Sequence, residues 1–504
     1  MKKVAIVGAG VGGLAAAARL AHQGFEVEVF EKGEGPGGRA GQLEVDGFTF
    51  DTGPTLLLMP EVLEETFASV GRRLSDYLTL KRCDPNYQIH FRDGSDLTFT
   101  SDLVRMGQQL ERFEKGACAR FFDLMAQGRR QYTTSLERLA GRNFDRPWEL
   151  FTPKNLAAVL EVKAHRNLYA EVARHFSDHR LRAAFTFQTM SLGVSPFESP
   201  AVFGLLPYTE LASGVWFPMG GLYEVPRALE RVCRELGVKF HYRAPVKQIQ
   251  IEKGRATGLM LGGGVTTRAD AVICNADLPW AYKNLIDPVH STLPRAEKLE
   301  YGSSAFIMYL GTRKQFPQLG HHTVVLGSFF EGAFEELFEE LKVPEDPSFY
   351  VSAPTRTDPS LAPEGKDALC VLVPVPHCTP TIDWKKEGPR VRAQVFARLG
   401  ELGIDDLETN IEVERVWTPS DYATVLNLER GAAFGLAHNL TQVGPFRPRN
   451  QDPNVHNLFF VGASTQPGAG LPMVVLSAGL AVERVLAARA RELPRLAAPQ
   501  AVPA

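Results

Sequence analysis

Apolar residues along this chain follow several different patterns, each predicting a different kind of element. Val4–Val7 is an unbroken apolar run of strand length, and Leu14–Gln23 (LAAAARLAHQ) carries helical periodicity that Gly24 closes. Glu26–Phe30 (EVEVF) reads as a second strand. From Val238 to Asp277 the pattern alternates as strands do, with turns at Lys253-Gly254 and Gly262–Gly264 and a last strand at Ala271–Cys274. Between Ser101 and Ser213 it turns helical; Thr152 and Pro153 have the chemistry of a cap and first helical position. Phe187–Pro226 is dense in aromatic and apolar residues and poor in charge, as the wall of an apolar pocket or a core must be. Near the end, Val461–Gly479 runs from a turn of glycine and proline into an apolar helix starting around Leu471-Pro472.

The 504 residues, 44% of them hydrophobic, suffice for more than one domain. A formal net charge of −3 gives no overall basic field, so no nucleic-acid partner is expected. The six cysteines contain no C-x-x-C pair and read as reduced thiols. Cys370 and Cys378, with His377, lack evident further ligands, so no metal is expected. Met-Lys-Lys leads straight into VAIVGAG without a secretory pattern, and no apolar run has membrane-spanning length, which predicts a cytoplasmic protein free to touch a membrane surface.

The chemistry begins at Gly8-x-Gly10-x-x-Gly13, between a predicted strand and helix, with Glu31 about 20 residues on. Gly8 allows the tight turn, Gly10 lets backbone approach a pyrophosphate, and Gly13 lets helix and strand pack closely. The helix N-terminus then faces the phosphates, and Glu31 can accept ribose hydroxyls. A second glycine turn, Gly37-Gly38-Arg39, carries a cation that can hold a phosphate or face a ring system. With one such fingerprint in the chain, one tightly held dinucleotide is expected. The fold class is therefore α/β, a Rossmann-like domain completed by distant segments, with an inserted α+β substrate domain and a helical, membrane-associating region.

Several blocks together resemble the bacterial carotene desaturases of the phytoene desaturase family, FAD-dependent relatives of the amine oxidases. They are NLFFVGASTQPGAGLPMVVLS from Asn457, the N-terminal glycine block, FDTGPT, DPNYQIHFRDGS, SLGVSPF, GVWFPMGGL and VICNAD, and the resemblance runs from Met1 to about Ala490. It implies that Gly8, Gly10, Gly13, Glu31, Gly38 and Arg39 bind the phosphates and ribose of FAD. It places Val246 at the adenine, and Gly462 with Gly470, Leu471, Pro472 and Met473 against the isoalloxazine. On this basis residues 1–100, 215–285 and 415–490 are assigned to an FAD domain and 101–214 and 286–414 to a substrate domain. The Ala- and Pro-rich 491–504 is read as a disordered tail.

The reaction implied is desaturation of phytoene or a related carotene. Alternatives on the same fold are 3,4- or C30-carotenoid desaturation, cis-trans isomerisation, amine oxidation or prenyl-lipid binding. An unactivated hydrocarbon is held by apolar burial and tunnel shape, so few polar catalytic residues are expected. Glu210, an isolated acid in an apolar block, is the one to test, against a salt-bridged or exposed role; His321-His322 read as loop residues. Oxygen or a membrane quinone is the expected electron acceptor. Trp148–Phe176 is the expected docking segment for peripheral membrane contact, its apolar Trp148, Phe151, Leu156, Val159 and Leu160 flanked by Lys154, Lys163, Arg166 and Arg174. Oligomeric state is not legible from the chain.

Overall fold

In the computed structural model, which describes residues 1–291, 298–328 and 330–496, the N-terminal unit forms a strand at Lys3–Val7, a helix at Val11–His22 and a strand at Glu26–Phe30. The first strand is the centre of a five-stranded parallel sheet. Ala271–Cys274 and then Leu458–Phe460 lie on one side, Glu26–Phe30 and Lys239–His241 on the other. Val4, Ala5 and Ile6 are fully buried. Elements cover both faces, which is why the strand reads as a continuous apolar run rather than an alternation. Leu14, the alanines Ala15–Ala18 and Leu20 of the helix are buried too, between the sheet and the C-terminal helix Leu471–Leu496. The small side chains let the two helices approach closely.

The strand meander at 238–277 divides. Its first and last strands enter the parallel sheet, whereas Val246–Glu252, Arg255–Leu261 and Thr266–Arg268 form a separate antiparallel sheet. A second large sheet has seven strands in the order Ile411–Trp417, Ser304–Thr312, Asp367–Val375, Phe349–Ser352, His322–Val325, Tyr87–His90 and Asp96–Phe99. The expected boundaries at 100 and 415 therefore cut across it: Tyr87–Phe99 and Arg415–Trp417 pair in this sheet, not with the nucleotide fold. Long-range pairing decided this, and no local signal marks it.

Residues 103–212 are mainly helical, and Thr152 caps the helix Pro153–Glu161 by accepting from the Asn155 amide. The C-terminal helix continues to Leu496, so 491–496 is not the disordered tail expected; 497–504 lie outside the described residues. Its stretch Leu471–Arg491 is long and apolar enough by composition to cross a membrane, contrary to the sequence expectation, but half of it is buried within the fold.

Candidate functional site

A cavity of about 1330 Å³ lies between the two large sheets. Ligand pockets commonly measure about 300–1,000 Å³, so this one has room for more than one molecule. One end is backbone and small side chains. Gly8, Gly10, Glu31, Gly38, Arg39, Val246, Gly462 and Gly470, Leu471, Pro472 and Met473 all line it. Of the residues expected at the cofactor, only Gly13 does not. Its role is packing: a Cβ there would sit 2.3 Å from the Gly8 carbonyl oxygen.

The two glycine turns lie side by side. Gly37 N–H donates to Ala9 O at 2.9 Å, and a Cβ on Gly38 would come within 3.3 Å of the Gly10 Cα. Gly37 and Gly38 have φ of 118° and 59°, a region open to glycine. Glu31 accepts from Ala9 N–H at 2.8 Å and from Gly33 N–H at 2.7 Å. Each carboxylate oxygen keeps further acceptor capacity for a hydroxyl. A Cβ on Gly10 would lie 2.6 Å from Asn275 Nδ2, so a larger residue there would have to displace the Asn275 side chain. This is a cradle for a pyrophosphate and ribose, and it fits a dinucleotide.

Asp277 ties the pieces together. Its carboxylate accepts from Arg39 at 3.3 Å, Ser464 Oγ at 2.5 Å and Glu429 N–H at 3.1 Å. Burial pushes the Arg39 guanidinium pKa down, and Asp277 works against that shift. Below this corner Arg447, 1% exposed, donates to the carbonyls of Leu436, Ala437, Gln442, Ala463 and Thr465. Burial, then the neighbouring Arg39, pushes its pKa down to about 9. The loop is thus clamped from below onto a cationic base. His438 Nε2 accepts from Ala469 N–H at 3.0 Å, and burial, with Arg447 beside it, holds the imidazole neutral.

That contact gives Gly468, which also lines the cavity, a second reason to lack a side chain. A Cβ there would sit 2.9 Å from the His438 ring nitrogen, so this glycine makes room for a side chain of the protein itself. Gly470 has nothing within 4 Å of such a Cβ and opens into the cavity, where the Leu471 helix begins. The helix N-terminus supplies partial positive charge there.

The other end is apolar, and part of Phe187–Pro226 forms its wall, which decides for the pocket between the two readings left open by that stretch. Phe187, Met190, Phe203 and Leu206 line it, opposite Val324 and Phe349 of the second sheet. Glu210 lines it too and is 3% exposed. Tyr87 OH donates to its Oε1 at 3.0 Å and Gln188 Nε2 to its Oε2 at 3.0 Å. Burial raises its pKa to about 8, against both hydrogen bonds. Among the described residues no cation pairs with it, so it is neither salt-bridged nor exposed. His321 and His322 are both buried; His321 sits in a bend just before a strand, and only His322 departs from the loop expected. His322 opens a strand and bonds Tyr350 OH, which reaches Thr55 at 2.9 Å. The donor atoms of Cys83, His321 and His322 lie within 4.8 Å of one another.

Sequence reasoning missed Asn275, Asp277, His438 and Arg447. The first two stand just past the end of a parallel strand, where α/β folds bind ligands, and that position was the available signal. Nothing local distinguishes His438 or Arg447.

The profile for flavin-containing amine oxidoreductases matches residues 11–486, and the chain belongs to that family. Membership makes the cofactor a flavin, and the dinucleotide cradle makes it FAD. The chain is 62% identical over 486 residues to a zeta-carotene-forming phytoene desaturase of Myxococcus xanthus, covering 96% of this chain and 94% of that one. It is 40% identical over 495 residues to a phytoene desaturase of Phycomyces blakesleeanus, covering 96% and 85%. Among solved structures, a triple mutant of putrescine oxidase shares the fold, with a TM-score of 0.63 at 16% identity over 96% of this chain and 99% of that one.

Proposed function

We propose that this chain is an FAD-dependent carotene desaturase that converts phytoene to ζ-carotene. One observation carries the reading: a single continuous cavity joins a dinucleotide cradle to an apolar chamber. The similarity pattern favours the early steps. Identity to the zeta-carotene-forming enzyme of M. xanthus is 62%, against 36% to the all-trans-zeta-carotene desaturase of the same organism.

Bound FAD supplies the two-electron acceptor for C–H cleavage. Gly8, Gly10, Glu31, Gly38 and Arg39 would hold its phosphates and ribose, Val246 its adenine, and Gly462 with Gly470–Met473 its ring system. The partial positive charge at the N-terminus of the Leu471 helix would favour negative charge on a ring bound there. The apolar walls align the polyene and keep water away from the reacting carbons.

Such a substrate resides in lipid, and the exposed surface accords with peripheral docking at a membrane's cytoplasmic face. Trp148 and Phe151 are 60% and 63% exposed, and Leu156 and Leu160, four residues apart, form an outward stripe. Phe446, on a turn that contacts the Pro147–Phe151 segment, is exposed and also lines the cavity, which supports an opening of the cavity near this apolar face. Val159 lines the cavity instead of joining the stripe, and Glu171 neutralises part of the expected basic flank by pairing with Lys163 and Arg166. The electron acceptor proposed for the bound cofactor would be oxygen or a membrane quinone.

Co-expression with a phytoene-producing synthase, followed by chromatography, tests the reading. ζ-Carotene is the expected product. Unchanged phytoene beside a yellow, FAD-loaded protein rejects it.

A further inference from the structure

We infer that Glu210 is the base of the desaturation, the group that receives the proton lost from the carbon next to the hydride donor. The inference rests on the carotene-desaturase reading and adds a residue role to it. Removing a hydride alone leaves an allylic cation. The neighbouring C–H bond must then break, its electron pair forming the new C=C while its proton goes to an acceptor. The hydride and its two electrons go to the flavin; the proton, on this proposal, forms an O–H bond on the Glu210 carboxylate and passes to solvent after product release.

The geometry supports this assignment in three ways. Glu210 is an acid whose side chain lies in the apolar part of the cavity wall, where a hydrocarbon would touch it. Its two oxygens are oriented by Tyr87 and Gln188, and its backbone carbonyl is held by Asn86 Nδ2 at 2.5 Å, so the carboxylate is positioned from both ends. Among the described residues it also has no charged partner. A buried acid that served only the fold would ordinarily be paired; this one is held by neutral donors and can change charge without breaking an ion pair.

The titratable groups around it are few. Tyr87 faces it from the second sheet, with Tyr350, His322 and Cys83 beyond. Tyr132 stands on the packed helix Ala117–Thr134, against Tyr208 of the helix that carries Glu210. Burial raises the phenols of Tyr87, Tyr350 and Tyr132, keeps His322 neutral and raises the Cys83 thiol to about 11. Glu210, raised to about 8, is thus the group of this cluster that changes charge near neutral pH.

The test compares FAD-loaded wild type, E210Q and Y87F, reduced anaerobically by phytoene in liposomes. In the wild type the rate of flavin bleaching rises with pH through about 8 as the carboxylate forms. E210Q is expected to lower that rate by about 10²–10⁴-fold and to flatten the profile. Gln188 can turn its amide to bond the new one, since its Oε1 has no partner. Y87F removes one donor from the carboxylate and moves the midpoint upward, with FAD content unchanged. Infrared difference titration adds a readout independent of turnover: a protonated-carboxyl band disappears near pH 8 in the wild type and is missing in E210Q. E210Q bleaching within tenfold of wild type with the same pH profile overturns the proposal, as does an unmoved Y87F midpoint. Failure of the broader reading looks different, because wild type itself would not be bleached.

Discussion

Replacing Gly13 by alanine sets two effects of known sign against each other. Gly13 lies within the helix Val11–His22 at an ordinary helical φ, so alanine gains about 1 kcal/mol of helix propensity. Its Cβ, however, would meet the Gly8 carbonyl oxygen at 2.3 Å and Asn275 Cβ at 3.3 Å. The carbonyl is backbone in the tight turn and cannot swing aside as a side-chain end can. Helix and strand must separate by nearly an ångström, and such overpacking costs about 1–3 kcal/mol. The strain falls on the turn that cradles the pyrophosphate. If it is relieved by displacing Gly8–Gly10, about 1.4–3 kcal/mol of cofactor binding is lost, roughly a 10–150-fold rise in the FAD dissociation constant. Gly479→Ala is the control. It is the same substitution in the C-terminal helix, but its nearest contact is Arg19 Cζ at 3.9 Å, so propensity acts alone. Flavin content after dialysis, FAD titration of the apoprotein and thermal melts of both variants form the assay. G13A is expected pale and weakly binding; G479A yellow and slightly stabilised. A G13A protein that holds FAD as the wild type does would falsify the close-packing argument.

Replacing Trp148 and Phe151 with serine should weaken co-sedimentation with liposomes while leaving bound FAD intact; unchanged sedimentation rejects the docking face. The folded-state pKa of Glu210 lies above its unfolded value, about 8 against 4.5, so its contribution favours folding at low pH and is lost as pH rises through about 8. At about 1.4 kcal/mol per pKa unit the loss is at most ~5 kcal/mol. Between pH 5 and 9, denaturant melts should therefore weaken more in wild type than in E210Q, and parallel curves would contradict the burial argument. Asp51, raised to about 7 by burial, adds a slope of the same sign to both proteins. Native protein should offer a thiol reagent two fast sites, Cys118 and Cys378, because Cys83, Cys233, Cys274 and Cys370 are buried; four or more fast thiols would count against the packing around them.

The nucleotide half of the fold was legible because local patterns carry it. The apolar run at Val4–Val7, the Gly8–Gly13 turn and Glu31 each have a steric or hydrogen-bonding reason readable from a few consecutive residues. The partition between sheets was not legible. Tyr87–His90 looks like any short strand, and only its pairing with His322–Val325 assigns it. Site residues divide in the same way. Arg39 and Gly470 announce themselves through glycine turns. Asp277, His438 and Arg447 act through partners far away in sequence, and nothing local shows that Gly468 makes room for His438. Glu210 could be singled out as a lone acid among apolar residues, but the two neutral donors that hold it come from Tyr87 and Gln188, remote in the chain.

The parallel sheet takes its middle strand from residues 3–7 and an outer strand from 458–460, and the first helix leans on one that starts at Leu471. A ribosome adding about 5–20 residues per second needs roughly 25–90 s to travel between those points. Throughout that interval the emerging polypeptide exposes Leu14 and its alanine neighbours without their eventual cover. Pigment uptake must then wait until residues 458–471 and the helix that follows have been made, and a message that stopped before residue 458 would yield a colourless, chaperone-bound product rather than a slow enzyme.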